Sequence, residues 1–163
     1  MKERPIRKLP RLPRYDYSQN GVYFVTICSE NRKQIFGDIF ANVPPIMELN
    51  PLGLTLQNAI KEIPSHHKDV QILKHVIMPS HVHLLLEINS VDLISTSTNL
   101  SRIVKGFKAY VSRTARGIGV EGKVWQKSFH DHIIRDEIDL ETHYEYIISN
   151  IDQWHEDEYC NLN

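Results

Sequence analysis

This sequence is short of cysteine, of long apolar runs and of net charge, and each absence excludes a class of protein. Its two cysteines, Cys28 and Cys160, match neither a zinc-ligand spacing nor a redox motif. No apolar run approaches the ~18 residues of a membrane-spanning helix, and the N-terminus lacks the apolar core of a signal peptide. We therefore expect a reduced, cytoplasmic protein that neither enters a membrane nor is exported.

The net charge is small, but the charges are unevenly placed. The chain has 19 Lys and Arg against 20 Asp and Glu, a net charge of −1. The N-terminus is strongly basic up to Arg11 and Arg14, and Pro5, Pro10 and Pro13 prevent a regular helix there. Residues 1–15 are thus predicted to form an extended basic arm. Such an arm either follows a phosphate backbone or is a solvated, poorly ordered terminus.

Hydrophobic periodicity predicts alternating strands and helices within one domain, residues 1–163. Strands are predicted at 21–28, 70–78 and 82–88, with a small edge hairpin within 35–49 and a strand or strand pair within 123–136. Helices are predicted from residue 51 to about 63, from 100 to the glycines at 117 and 119, and from 137 to about 150.

The order of these elements is strand, helix, strand, strand, helix, strand, followed by an added C-terminal helix. This order is typical of the split βαβ, ferredoxin-like fold, an α+β arrangement in which helices cover one face of an antiparallel sheet. The opposite face of such a sheet is available for a ligand.

Two histidines, His81 and His83, stand one residue apart at the start of a strand that is otherwise apolar. Because side chains alternate along a strand, both imidazoles emerge on one face, opposite Val82 and Leu84. This spacing suits a single metal ion, but by itself it more often belongs to a structural histidine pair. A metal site would need further ligands from elsewhere in the chain.

The last predicted helix separates two tyrosines. On a helical wheel its core-facing stripe falls in one narrow arc: Leu140, Tyr144, Ile147, Ile148 and Ile151. Tyr146 and Asn150 lie one turn apart on the flank of the helix, together with Asp139 and His143. Tyr144 is therefore predicted to pack in the core, whereas Tyr146 points elsewhere. An ordinary boundary tyrosine would fit this position too.

Three segments, in order and spacing, resemble a known family: "VIMPSHVHLLLEI", "VWQKSFHDHIIRDEIDL" and "HYEYIISN". The chain resembles the single-tyrosine HUH transposases of insertion sequences, and especially their REP-associated tyrosine transposase branch, from about residue 15 to 158. HUH stands for His, hydrophobic, His, here His81 to His83. Two positions depart from the family pattern: Ser80, where Asn, Asp or Glu is more frequent, and Ile151, where a proline usually ends the helix.

The resemblance implies an enzyme that cleaves single-stranded DNA and transfers the strand through a 5′-phosphotyrosine. It implies Tyr146 as the catalytic nucleophile, and His81, His83 and Asn150 as ligands of a divalent metal, Mg²⁺ or Mn²⁺. The chemistry would be that of a DNA transposase, which combines single-strand nuclease and ligase steps, acting on insertion-sequence or REP-type hairpin elements.

The resemblance also implies single-stranded or hairpin DNA as the partner. The exposed face of the second predicted helix and the basic arm supply the candidate phosphate contacts: Arg102, Lys105, Arg113, Arg116, Arg11 and Arg14. A solvated charged helix face is the alternative interpretation. His132 and Arg135 are expected near the site without a derived role. A monomer is favoured, and a homodimer stays open.

Two other functions fit the same residues. A domesticated DNA-hairpin-binding protein would keep the fold and form no covalent product at any metal concentration. An unrelated metallohydrolase would use His81 and His83 with water as the nucleophile, so that Tyr146→Phe would leave its activity intact.

Overall fold

The structure, a computed structural model, describes residues 19–90 and 99–154. The strands are β1 Gly21–Cys28, β2 Gly37–Phe40, β3 Ile46–Leu49, β4 Val70–Ile77, β5 His81–Ile88 and β6 His130–Ile133. The helices are α1 Pro51–His66, α2 Leu100–Gly117 and α3 Glu137–Ser149, with a short 3-10 turn at Glu30–Arg32. The predicted basic arm, with Arg11 and Arg14, lies outside the described residues. None of the described helices is both long and apolar enough to cross a membrane.

Four strands form one sheet in the order β4-β5-β1-β6, and every neighbouring pair is antiparallel. The helix connections and this strand order confirm the ferredoxin-like fold class. The central pair is β1 with β5, in a register that sets Cys28 opposite His81 and Thr26 opposite His83. The hairpin expected at a sheet edge pairs β2 with β3 in a separate two-stranded sheet.

The two faces of the main sheet carry different helices. Helices α1 and α2 pack on one face and share its core with alternate β5 residues, among them Val82 and Leu84. The opposite face carries a smaller apolar cluster that includes Leu85 of β5 and Ile147 of α3. The histidines of β5 therefore face α3, as strand alternation predicts. The expected core position of Ile148 is wrong, since this side chain is 48% exposed.

Side chains set the start of each helix. Asn50 accepts a hydrogen bond from the Gly53 amide at α1, and Asn99 accepts from the Ser101 amide at α2. Asp136 caps α3 in the same way, with the Asp139 amide as donor. Because no proline follows Asn150, that residue keeps helical backbone angles and the chain continues in turns to Trp154, which is buried.

The segment before β6 is less regular than predicted. Of residues 123–136 only β6 is a strand, and Trp125 makes a single bridge with Ser29. The Lys108 ammonium donates to the carbonyl oxygens of Gln126 and Ser128, at 2.5 and 3.3 Å. These carbonyls are thus satisfied by a side chain instead of a neighbouring strand. Trp125 is buried in the main core.

Gly53 fixes the close approach of α1 to the chain before β2. A methyl group at this position would overlap the carbonyl oxygen of Phe36 and lie 3.1 Å from the Leu49 side chain. We expect Gly53→Ala to lower the free energy of unfolding by about 1–3 kcal/mol, as overpacking does. Urea denaturation measures this. The matched control is Gly106→Ala in α2, where nothing lies within 4 Å; it should stabilise by about 0.5–1 kcal/mol, and equal effects of the two changes would contradict the close approach.

Candidate metal and nucleophile site

The two histidines of β5 meet at their ring nitrogens. The Nε2 atoms of His81 and His83 are 3.0 Å apart, and the two residues are 0% and 1% exposed. Their rings are inclined by 70°, so the nitrogens converge on one point and the rings do not stack. This convergence is what the H-x-H spacing on a rigid strand provides.

Hydroxyl groups hold the other nitrogen of each ring. Thr26 Oγ1 is hydrogen-bonded to His83 Nδ1 at 2.8 Å, and Ser80 Oγ to His81 Nδ1 at 3.2 Å. When both Nδ1 atoms carry the hydrogen and donate, both Nε2 lone pairs face each other at 3.0 Å. A proton or a cation between them relieves that repulsion. Histidines that ligate metals are oriented by a partner on the second nitrogen in the same way.

Burial keeps the pair neutral. Desolvation lowers the pKa of His83 from 6.5 to about 3. Desolvation also lowers the pKa of His81 well below its ordinary value, with smaller contributions from His83 and Arg32. Neutral imidazoles have the lone pairs that a metal ligand needs.

Aromatic rings cover the pair on the α3 side. The Tyr146 ring lies edge-on to His83 with centroids 5.3 Å apart, and Phe24 stacks on His83 at 5.1 Å. The Trp154 ring lies 6.2 Å from that of His81. Tyr146 is 36% exposed, whereas Trp154 is 5% exposed. Tyr146 is thus the most exposed of the three covering residues.

Asn150 lies between the two covering rings along the chain. Asn150 follows Tyr146 by one turn and precedes Trp154 by another. The Tyr146 ring contacts His83, and the Trp154 ring lies beside His81. Asn150 is 2% exposed, and within residues 19–90 and 99–154 no hydrogen-bond partner reaches its Oδ1. A buried amide oxygen without a donor costs about 1–3 kcal/mol unless a cation or other partner satisfies it. This donor set fits a divalent ion.

The structure does not bring the predicted basic residues to the histidines. Arg102, Lys105, Arg113 and Arg116 are exposed on α2, which packs on the opposite face of the sheet. Arg113 lines a groove between α1 and α2. Arg116 lines a second groove, which we call the basic groove, together with Lys108, Lys123 and Lys127.

The basic groove is nevertheless at the histidine end of the sheet. It includes Glu30, two residues after β1, and Trp125, which makes a bridge with Ser29. The Ser29 amide donates to the Ser80 carbonyl oxygen at 2.9 Å, next to His81. Of the predicted cations, Arg116 is therefore the one whose groove leads toward the histidine pair.

The two residues expected near the site occupy a neighbouring cluster. His132 on β6 is hydrogen-bonded to Asp139, and the exposed Arg135 donates its amide to the same carboxylate at 3.0 Å. The His143 ring stacks on that of His132. Phe24 lies between His143 and His83, with its ring centroid 4.8 Å from that of His143 and 5.1 Å from that of His83. His132 is thus three ring contacts from His83, through His143 and Phe24.

Sequence reasoning missed the residues that orient the histidines. Thr26 and Phe24 are two residues apart on β1 and therefore lie on the same face of the sheet as the histidines. Which β5 residues they contact follows only from the strand register. In the sequence Ser80 reads only as a turn residue, whereas the structure places its hydroxyl, fully buried, against His81. The sequence signal for this role was that Thr26 is a polar residue within the otherwise apolar strand β1.

A protein-family model identifies the family of this chain. The family model described as "Transposase IS200 like" matches residues 18–150, most of the chain. The chain belongs to the IS200-like transposase family. The resemblance seen in the three sequence motifs is thereby confirmed, and a transposase role follows for the protein.

Relatives of this IS200-like transposase occur in Haemophilus influenzae. One, of uncharacterised function, is 34% identical over 168 residues, covering 93% of this chain and 92% of that protein. Another, named as a REP-associated tyrosine transposase, is 24% identical over 143 residues, covering 84% of this chain and 73% of that protein.

Solved structures share the fold of this IS200-like transposase. A REP-associated tyrosine transposase bound to a REP hairpin superposes with a TM-score of 0.63 at 20% identity, over 86% of this chain and 71% of that one. A Deinococcus radiodurans crystal structure titled as a transposase gives a TM-score of 0.51 at 16% identity, over 85% of this chain and 95% of that one. At these identities the likeness concerns the fold.

Proposed function

We propose that this transposase cleaves and rejoins single-stranded DNA at a hairpin, through a 5′-phosphotyrosine on Tyr146. One observation carries the proposal. The Nε2 atoms of His81 and His83 converge at 3.0 Å beneath the Tyr146 ring, whose centroid is 5.3 Å from that of His83. A nucleophile beside a divalent-metal donor set is the arrangement that phosphoryl transfer to a side chain requires.

The residues that would hold the metal are His81, His83 and Asn150. Two imidazole nitrogens and one amide oxygen suit Mg²⁺ or Mn²⁺ for activity. When bound, the ion polarises the scissile phosphate and stabilises the negative charge that develops there. The hydroxyls of Thr26 and Ser80 can each accept a hydrogen bond from Nδ1, the tautomer that leaves Nε2 available.

Tyr146 supplies the nucleophile. A phenol has a reference pKa near ~10, so the oxygen attacks well only where its charge is stabilised. In the cleavage step a bond forms between the Tyr146 oxygen and phosphorus while the bond from phosphorus to the 3′-oxygen breaks. The phenol loses its proton, and the departing 3′-oxygen gains one. A second 3′-hydroxyl reverses the step, rejoins the DNA and returns the proton to Tyr146.

Apolar rings shield the histidine pair from solvent. Phe24 and Trp154 leave the two imidazoles almost without solvent contact. The same burial means that a phosphate reaches the imidazoles only when part of this cover moves.

Hairpin DNA is the partner that the surface supports best. The related structure with a TM-score of 0.63 is a transposase bound to a REP hairpin. In this chain the basic groove of Lys108, Arg116, Lys123 and Lys127 lies at the histidine end of the sheet and can follow a phosphate backbone. Arg102, Lys105 and Arg113 are proposed as further phosphate contacts along α2.

Each chain carries its own nucleophile. Helix α3 packs on the sheet that holds its own histidines, so Tyr146 and His83 of one chain are neighbours. We therefore propose that cleavage proceeds in cis and that a monomer is sufficient.

End-labelled hairpin DNA tests the proposal. A pool of hairpins with randomised single-stranded flanks, incubated with protein and Mn²⁺, is run on a denaturing gel. A 3′ label should migrate with the protein, and a 5′ label should appear in a shortened free fragment. Binding without cleavage would overturn the proposal in favour of a hairpin-binding protein. Cleavage that leaves both fragments free would indicate water as the nucleophile.

The Thr26 hydroxyl is expected to matter for metal affinity. Thr26→Val keeps the shape of the buried side chain and removes the 2.8 Å hydrogen bond to His83 Nδ1. We expect about 10–100-fold weaker Mn²⁺ binding, because the imidazole loses its orienting partner. Calorimetric titration measures this, with Thr114→Val on α2 as the control. Equal Mn²⁺ affinity in both variants would contradict the role of the hydroxyl.

A further inference from the structure

A second group of potential ligands lies on the same side of the sheet as the histidine pair. His132 on β6 and Asp139 and His143 on α3 offer ligand atoms that all lie within 4.8 Å of one another. His132 Nε2 is 2.9 Å from Asp139 Oδ2, and His143 Nδ1 is 3.1 Å from Asp139 Oδ1. We call these three residues the β6–α3 cluster.

We propose that the β6–α3 cluster is a zinc site separate from the one at His81 and His83. Two imidazoles and one carboxylate, with water in the remaining position, form a common zinc donor set. The ligand type distinguishes it from the first site, whose oxygen donor is a neutral amide. The Phe24 ring lies between the two groups. The proposal does not depend on strand cleavage by Tyr146.

The surroundings already orient the ligands. His143 Nδ1, which faces Asp139 Oδ1 at 3.1 Å, also lies 2.8 Å from the Asp139 carbonyl oxygen, and the two contacts hold the ring beside the carboxylate. The Arg135 amide holds Asp139 Oδ2 at 3.0 Å, and Asp136 accepts from the Asp139 amide at 2.8 Å. The carboxylate is therefore fixed before any ion binds, so less ordering entropy opposes binding.

The cluster is open to incoming ions. The side chains of His132, His143 and Asp139 are 38%, 21% and 19% exposed. Binding would require the hydrogens on His132 Nε2 and His143 Nδ1 to move to the other nitrogen of each ring, which frees the two nitrogens that now face Asp139. The ion would then replace the hydrogen bonds between the imidazoles and the carboxylate.

Zinc here would fasten the helix of the nucleophile to the sheet. His132 belongs to β6, whereas Asp139 and His143 form the first turns of α3, on which Tyr146 follows three residues later. His143 and Tyr146 both contact Phe24. A metal bond between β6 and α3 would thus restrict movement of the helix that covers His81 and His83.

Zinc stoichiometry of the full chain tests the site. We expect wild-type protein to bind two Zn²⁺ ions per chain in equilibrium dialysis. Asp139→Asn should keep only the ion at His81 and His83, and His83→Gln should keep only the ion at the β6–α3 cluster. His130→Ala and Asp152→Asn, exposed changes near the cluster and after α3, should keep two ions. One ion per wild-type chain, lost in His83→Gln, would overturn the proposal, as would two ions in Asp139→Asn.

A measurement on the wild-type protein tests the site even if one of the variants does not fold. Long-range nitrogen NMR resolves the imidazole nitrogens of each histidine. Zinc should shift the ring nitrogens of both His132 and His143, together with the pair at His81 and His83. Unchanged signals of His132 and His143 at saturating Zn²⁺ would show that the cluster is held by hydrogen bonds alone, and the proposal would then be wrong.

Discussion

Tyr146→Phe is expected to abolish the covalent protein–DNA product while leaving hairpin binding unchanged. The change removes one oxygen and keeps the ring that contacts His83 and Phe24. Loss of a nucleophile typically reduces turnover by about a thousandfold or more, which takes the 3′-labelled, protein-linked band below detection. Affinity for the hairpin, measured by gel mobility shift, should stay within about twofold because the basic groove is untouched.

Tyr144→Phe is the matched control for that result. Tyr144 is on the same helix, packs against the smaller apolar cluster and lies under the Lys74 ammonium, 5.2 Å from its ring centroid. It should give normal yields of covalent product. If Tyr146→Phe still cleaved the DNA and left both fragments free, water would be the nucleophile and the chemistry that of a metallohydrolase.

His83→Gln is expected to have the second-largest effect, on both metal binding and cleavage. Glutamine is close in size but lacks the Nε2 that meets His81 at 3.0 Å. We expect Mn²⁺ affinity and the rate of covalent product formation each to fall by about a hundredfold or more, because removing a direct ligand costs more than the 10–100-fold of an orienting partner.

Stability separates that effect from misfolding. His83→Gln leaves the Thr26 hydroxyl with a weaker partner, so we expect a loss of about 1–3 kcal/mol in the free energy of unfolding. The control is His75→Gln on β4, a partly buried histidine that contacts neither site. A folded His83→Gln protein with wild-type Mn²⁺ affinity would contradict the proposed ligand.

Local periodicity carried the prediction of the fold and of the face on which the histidines lie. Strand β1 spans the predicted residues, and α2 and α3 agree with their predicted bounds to within one residue. These features follow from the geometry of a single element, in which alternation or 3.6-residue turns place each side chain. For the same reason the helical wheel is enough to separate Tyr146 from Tyr144.

Predictions that needed contacts between elements were less complete. Ile148 fell in the predicted stripe but is 48% exposed, whereas its neighbour Ile147 is 2% exposed. A helical wheel gives the direction of a side chain and not the extent of the surface against which the helix packs. The segment before β6 has the pattern of a strand. Its Ser128 carbonyl oxygen instead accepts a hydrogen bond from Lys108, a residue of α2 that lies 20 positions earlier in the chain. A wheel or an alternation pattern contains no information about such partners.

The sequence by itself determined the element order, the shared face of His81 and His83, and the flank position of Tyr146 and Asn150, because each depends only on backbone repeat within one element. Tertiary structure alone decided the rest. The β1–β5 register brings Thr26 to His83 across 57 residues. Packing of α3 against its own sheet sets Tyr146 over the pair and brings together His132, Asp139 and His143. Packing of α2 with α1 places the predicted basic residues on the opposite face. These distances are fixed by how faces fit together, which no single segment encodes.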